Sequence, residues 1–262
     1  MINLIKSINY QIKNNNLTYI IFILAIAVMF IPFFNINGGD LSALTAGNYY
    51  VQALTPMSFV FLIFNVLMIT QVCGFDFNDK TINYEVMSGH SKKEVYFARV
   101  ITSYVWALTG MILVTLVPVF LISLFFGWGK ELLFQEFVQR YVVYLLQAAR
   151  LFAFEILFTF AVNNQIAAAI VSFVISEIPI MIGLMLEEML GIKLEHIFAF
   201  LDIMNLTEQV NTKTIVLDGE EINRFIVGLS PEYILWTVIS SVVMGTIYII
   251  AGYVIFKKRD MK

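Results

Sequence analysis

Six long apolar runs constrain this chain more than any other feature, and they fall at about 17–34, 54–75, 100–126, 140–162, 165–186 and 233–256. A hydrocarbon core about 30 Å thick takes about 20 helical residues to cross, and runs of this length suffice. The runs are continuous rather than alternating. Backbone donors and acceptors in lipid must be satisfied within the segment, so the runs are expected to be helices and not barrel strands. Composition agrees: 60% of the residues are hydrophobic and 13% charged, against about 25% charged in soluble domains. The expected fold class is an all-α integral membrane protein with six transmembrane helices, occupying residues 1–262 as a single domain.

Charge sets the expected orientation. Placing both ends and the 76–99 loop on the cytoplasmic side gives that side Lys6, Lys13, Lys80, Lys92, Lys93, Arg99, Lys257, Lys258, Arg259 and Lys262, ten of the sixteen Lys and Arg. The opposite side receives Lys130, Arg140, Lys193, Lys213 and Arg224 among acids that include Glu187, Glu188, Glu195, Glu220 and Glu221. This arrangement obeys the positive-inside rule, and the reverse does not. The first run ends in Pro32-Phe33-Phe34-Asn35 without an Ala-x-Ala cleavage pattern, and is expected to be a retained helix. Residues 1–16 carry Ile5, Ile8 and Ile12 at helical spacing beside Lys6 and Lys13. Two readings stand, a short helix lying in the interface or a frayed polar leader.

The polar region 187–232 precedes the last crossing and is expected outside the cell. It contains a short apolar piece, His196 to Leu206, that suits an interfacial or re-entrant segment as well as an ordinary loop helix. No internal repeat is visible. The single cysteine, Cys73, supports neither a disulfide framework nor a Cys-rich metal site.

The most informative polar stretch is 76–99, DFNDKTINYEVMSGHSKKEVYFAR. Ser88-Gly89 supply a break, and Ser91 with Glu94 match a capping box for a helix running into the third crossing. These residues resemble the ABC-2-type permeases, the compact bacterial membrane subunits of peptide and drug exporters. The matching positions are Asp76, Lys80-Thr81, Ile82 to Met87, Ser88-Gly89-His90-Ser91-Lys92, Tyr96 and Arg99. Lys80 stands where the family carries Gly, and Lys92 where it carries Arg. The resemblance extends to the layout of the whole chain, including the turn at Asn163-Asn164 and the basic tail.

That resemblance implies an ABC-2, type V exporter-like fold in a bacterial plasma membrane. It makes 76–99 a cytoplasmic coupling loop on which a separate ABC ATPase docks, with Thr81, Tyr84, Ser88, Gly89, Ser91, Lys92, Val95 and Tyr96 as the coupling residues. A charged residue at Val95 or Tyr96 is then expected to uncouple hydrolysis from transport. It also implies two ATPase copies per complex and a second permease copy or a related permease. The chain itself has no Gly-x-x-x-x-Gly-Lys-Ser/Thr phosphate cradle. ATP and magnesium are therefore expected on the partner, with no cofactor, metal or nucleic acid bound here and the lipid bilayer as the remaining partner.

Arg150, Glu155 and Glu177 fall inside predicted crossings, where an unpaired charge costs about 2.5 kcal/mol or more. They either line a substrate path or form a buried charge network that fixes packing. Pro118 and Pro179 shape their helices and are assigned no site. The 24 Phe and 12 Met suit a lipid-facing surface and an adaptable lining for amphipathic peptides or hydrophobic compounds.

Two rival classes remain. Glu187-Glu188 matches the start of the Glu-Glu-x-x-x-Arg motif of intramembrane proteases, but Ile192 occupies the Arg position and Lys193 is out of register. The two histidines, His90 and His196, are expected on opposite sides of the membrane. The second rival is an ATP-independent immunity or binding protein, or a channel, whose hydropathy would look the same.

Overall fold

The computed structural model describes residues 1–31, 44–53, 58–78, 81–162, 164–191, 211–217, 220–226 and 229–258. The His196–Leu206 piece lies outside them, as do Lys80, Lys193 and the tail from Arg259. The side chains of Glu177, Pro179 and Glu187 lie outside the description too. In chain order the helices are α1 (Ile2–Lys13), α2 (Asn16–Met29), α3 (Ala46–Ala53), α4 (Ser58–Asn78), α5 (Thr81–Met87), α6 (Lys92–Phe126), α7 (Phe134–Val162), α8 (Gln165–Leu190) and α9 (Pro231–Lys258). The strands β1 (Asn211–Leu217) and β2 (Glu220–Ile226) pair antiparallel between α8 and α9.

Among the described residues, four helices are long and apolar enough to cross a membrane: α6, α7, α8 and α9, of 35, 29, 26 and 28 residues. The pair α1 and α2, bent by 64°, makes a fifth if counted as one broken span, and α4 carries a shorter apolar helix at Val60–Gly74. The protein is thus membrane-embedded and mainly helical. Its surface fits that solvent, since Phe120, Leu124 and Phe125 of α6, Ile170 and Val174 of α8 and Val242 and Ile247 of α9 are exposed.

The bend between α1 and α2 has a local cause in Asn14-Asn15-Asn16. Asn15 sits in extended conformation as the N-cap of α2, its side chain accepting from the Leu17 N–H at 2.9 Å. The sequence stripe on α1 is shifted by one position: Leu4, Ile8 and Ile12 are buried, while Ile5 is only partly so. That face rests on α6.

A larger share of α7 is buried than of the other three long helices, and it contacts α4, α6, α8 and α9. Small residues let α9 come close. A methyl group on Gly252 would meet the Tyr96 hydroxyl at 2.6 Å and the Leu157 Cα at 3.4 Å, leaving no room for a side chain.

At the other end of the bundle, α3 is buried through Tyr49, Tyr50 and Val51. Its first turn is held by Ala46 N–H to Gly127 O and Gly47 N–H to Trp128 O, at 3.0 and 2.9 Å. The hairpin joins the same cap through Phe225 N–H to Glu131 O at 2.7 Å. Strands departing from an all-helical plan have a sequence basis: Asp218-Gly219 separates two runs with β-branched residues, a strong hairpin signal.

Candidate functional site

Two regions carry the residues that the sequence singles out. The first is an elbow formed by α5 and the start of α6. Its hinge is closed from both directions. Helix α5 ends in a Schellman arrangement, with His90 N–H donating to Glu85 O at 3.2 Å and Gly89 N–H to Val86 O at 3.1 Å. Gly89 has φ of 101°, a conformation that side chains disfavour and glycine accepts. Helix α6 then opens on the expected capping box: Ser91 Oγ accepts from Glu94 N–H at 3.2 Å, and Glu94 Oε2 accepts from Ser91 N–H at 3.2 Å.

An ion pair spans the elbow. Arg99 Nη1 donates to Glu85 Oε2 at 2.6 Å, with the Arg99 side chain fully buried and that of Glu85 17% exposed. Lys92 Nζ reaches Lys257 O at 3.1 Å, which ties the start of α6 to the end of α9. The short α5 therefore cannot swing freely against α6.

The elbow sorts the eight expected coupling residues into two groups. Tyr84, Ser88, Gly89 and Ser91 are exposed, and Thr81 and Lys92 are intermediate. Val95 and Tyr96 are fully buried. The Tyr96 hydroxyl donates to Ile249 O at 2.7 Å, and its ring packs against Phe97, Phe160, Tyr253 and Phe256. These two residues face the bundle, so an Asp there would disrupt packing before it tested any surface contact.

The sequence pattern alone does not single out Met87 as a site residue. It is 79% exposed beside Tyr84 at 67%, three positions apart on one helical face. That spacing is a signal the sequence carries.

The second region is the interior of α7. Arg150 and Glu155 are both buried, yet they are not joined. Five residues place them about 140° apart around the helix. Arg150 turns to α9, where Nη1 donates to Ser240 Oγ at 3.1 Å. Glu155 is 0% exposed, and neither of its carboxylate oxygens has a hydrogen-bond partner among the described residues. Arg150 and Glu155 are thus two separate buried groups, and the side chain of Glu177, the third member of the expected set, lies outside the description.

Glu155 has company. The Tyr144 hydroxyl, Asn65 Oδ1 of α4 and Ser172 Oγ of α8 are also buried without a hydrogen-bond partner among the described residues. Tyr144 and Glu155, eleven residues apart, share one face of α7 about 16 Å along its axis. That face meets α4, where the Phe61 and Tyr144 rings lie 6.2 Å apart. Glu155 and Ser172 lie on α7 and α8, two helices in contact. Thr237 and Ser241 of α9 add two more unpartnered hydroxyls, among the described residues, on the helix that receives Arg150. Buried polar groups in native structures are nearly always paired, and this seam of donors and acceptors has no hydrogen-bond partners among the described residues.

The chain matches no protein-family model, and a search of curated proteins returns no match.

Proposed function

We propose that this chain is the membrane-spanning permease subunit of an ATP-driven ABC exporter, drawing its energy from a separate ATPase. The observation that carries this reading is the α5–α6 elbow. A short helix with Tyr84 and Met87 exposed is braced by the Arg99–Glu85 pair against a 35-residue helix that can cross the membrane. A partner that grips α5 would move α6 as one piece, converting closure of an ATPase into a tilt within the bundle. The polar seam along α7 is the counterpart of that lever, a route whose unmet groups take up parts of the cargo in turn.

The finer reading adds α2 and α4 to the four long helices, giving six crossings in an ABC-2 arrangement. It places the elbow and both ends of the chain in the cytoplasm of a bacterium, with two ATPase copies and a second permease copy or a related permease. Peptides or hydrophobic drug-like compounds are the proposed cargo, because the lining offers aromatic rings as well as polar groups. A channel or an ATP-independent binding protein would use the same seam without the elbow.

Isolation in mild detergent from native membranes separates the two readings. ATP hydrolysis should co-elute with the tagged chain, and Tyr84→Asp with Met87→Asp should abolish it while the permease remains folded. Exposed aromatic anchors of this kind commonly carry about 2–4 kcal/mol of a contact. A chain that elutes without ATPase activity, or one that keeps it after both substitutions, removes the proposal.

A further inference from the structure

We infer that the cleft between α1 and α6 is a binding site for an anionic phospholipid. The inference needs only a membrane-embedded chain and is independent of the permease reading. The cleft has a volume of about 530 Å³. Lys6, Tyr10 and Lys13 line its α1 side, and their spacing of four and three residues puts them on one helical face. The two ammonium groups are anchored about 10 Å apart along the axis.

Neither lysine side chain has a carboxylate or other polar partner among the described residues. The ion pairs at this end go elsewhere, from Glu94 to the Met1 amino group and His90, and from Arg99 to Glu85. Two unneutralised cations on one wall of a concave site select an anion.

The opposite wall excludes a simple soluble anion as the natural fit. It is built from α6, with Val105 and the Trp106 indole facing the cleft. Trp106 is fixed there, since its Nε1 donates to Asn9 Oδ1 at 2.7 Å and Phe22 packs edge-on at 6.4 Å. Val105 is 55% exposed and continues along α6 into exposed Ile101 and Ile112, an apolar track on the lipid-facing side. A ligand matching both walls has a phosphoryl head for the lysines and a hydrocarbon tail for the track. Basic pockets beside membrane helices with an interfacial aromatic favour such lipids.

The test uses the full chain with Trp128→Phe and Trp236→Phe, which leaves Trp106 as the single tryptophan of the three. Reconstituted into phosphatidylcholine bilayers, it is titrated with phosphatidylglycerol or phosphatidylcholine brominated on the acyl chain. Bromine quenches only a neighbouring indole. Phosphatidylglycerol should quench at a mole fraction about twenty-fivefold lower than phosphatidylcholine, roughly fivefold from each lysine compounded. Lys6→Gln with Lys13→Gln should erase that preference, and Lys93→Gln with Lys258→Gln, at the same end but outside the cleft, should preserve it. Equal quenching by the two lipids, or equal loss in both double variants, overturns the assignment. Displacement of brominated phosphatidylglycerol by millimolar inorganic phosphate also overturns it, by assigning the cleft to a soluble anion.

Discussion

The elbow of α5 and α6 and the interior of α7 handle polar groups in opposite ways. In the elbow, the turn amides, the Ser91 and Glu94 side chains and the Arg99–Glu85 pair close on one another within a few residues of chain or across one helix contact. Along α7, Tyr144 and Glu155 are carried into the bundle with their terminal oxygens unpartnered among the described residues. Paired groups make a stiff unit, because moving them breaks a bond, although the buried Arg99 Nε has no hydrogen-bond partner among the described residues. Unsatisfied groups leave free energy unrecovered that a guest can release. The permease proposal calls for such a contrast, a rigid input at one end and a receptive interior.

The sharpest way to break the contrast is to remove its strongest bond. Arg99→Ala leaves the Glu85 carboxylate largely buried without its cation, and breaking such a pair from one side costs about 3 kcal/mol. Thermal unfolding in detergent should report that loss, and Arg99→Lys should recover only part of it, since an ammonium lacks the guanidinium fork. A loss below about 1 kcal/mol would show that the elbow owes its stiffness to something other than this pair.

The opposite substitution belongs in α7. Glu155→Leu removes a buried group without a hydrogen-bond partner among the described residues, so the protein should gain about 1–2 kcal/mol in the same unfolding measurement. Export, assayed in cells, should fall, because the seam loses its one described carboxylate. Glu155→Gln keeps the shape and a polar end, and should fall between the two in both measurements. Gain of stability with full export would make Glu155 a packing residue; loss of stability would show that the carboxylate has a partner in the membrane.

How much of this was legible follows the range of each interaction. The capping box is written within four consecutive residues, Ser91 to Glu94, and the apolar runs of the four long helices are contiguous, so these could be read directly. The hairpin had its Asp218-Gly219 signal, but hydropathy reading of a membrane chain weighs crossings and passes over short strands. Helix α3 is too short and mixed, Ala46-Gly47-Asn48-Tyr49-Tyr50, to declare itself without the cap that buries it. Burial of Arg150 and Glu155 was foreseeable from their apolar flanks. Their partners were not: Ser240 lies 90 residues from Arg150, and no local pattern encodes which helix a given face will meet. The same limit hid the bracing of Arg99 by Glu85, fourteen residues upstream.

The smallest effect tests whether the elbow is stiff in its parts or only as a whole. Ser91→Ala removes the side chain that accepts from Glu94 N–H, and loss of an N-cap costs about 1 kcal/mol. Glu94 retains its bond from the Ser91 backbone N–H, which alanine preserves, so half of the reciprocal box survives. Both groups are near water, which takes up the freed amide. Unfolding should shift by that small amount, while ATPase co-elution stays unchanged because the Arg99–Glu85 pair still holds α5 against α6. If the single hydroxyl instead disconnects the ATPase, stiffness at the helix start outweighs the ion pair, and the lever begins at the turn rather than at Arg99.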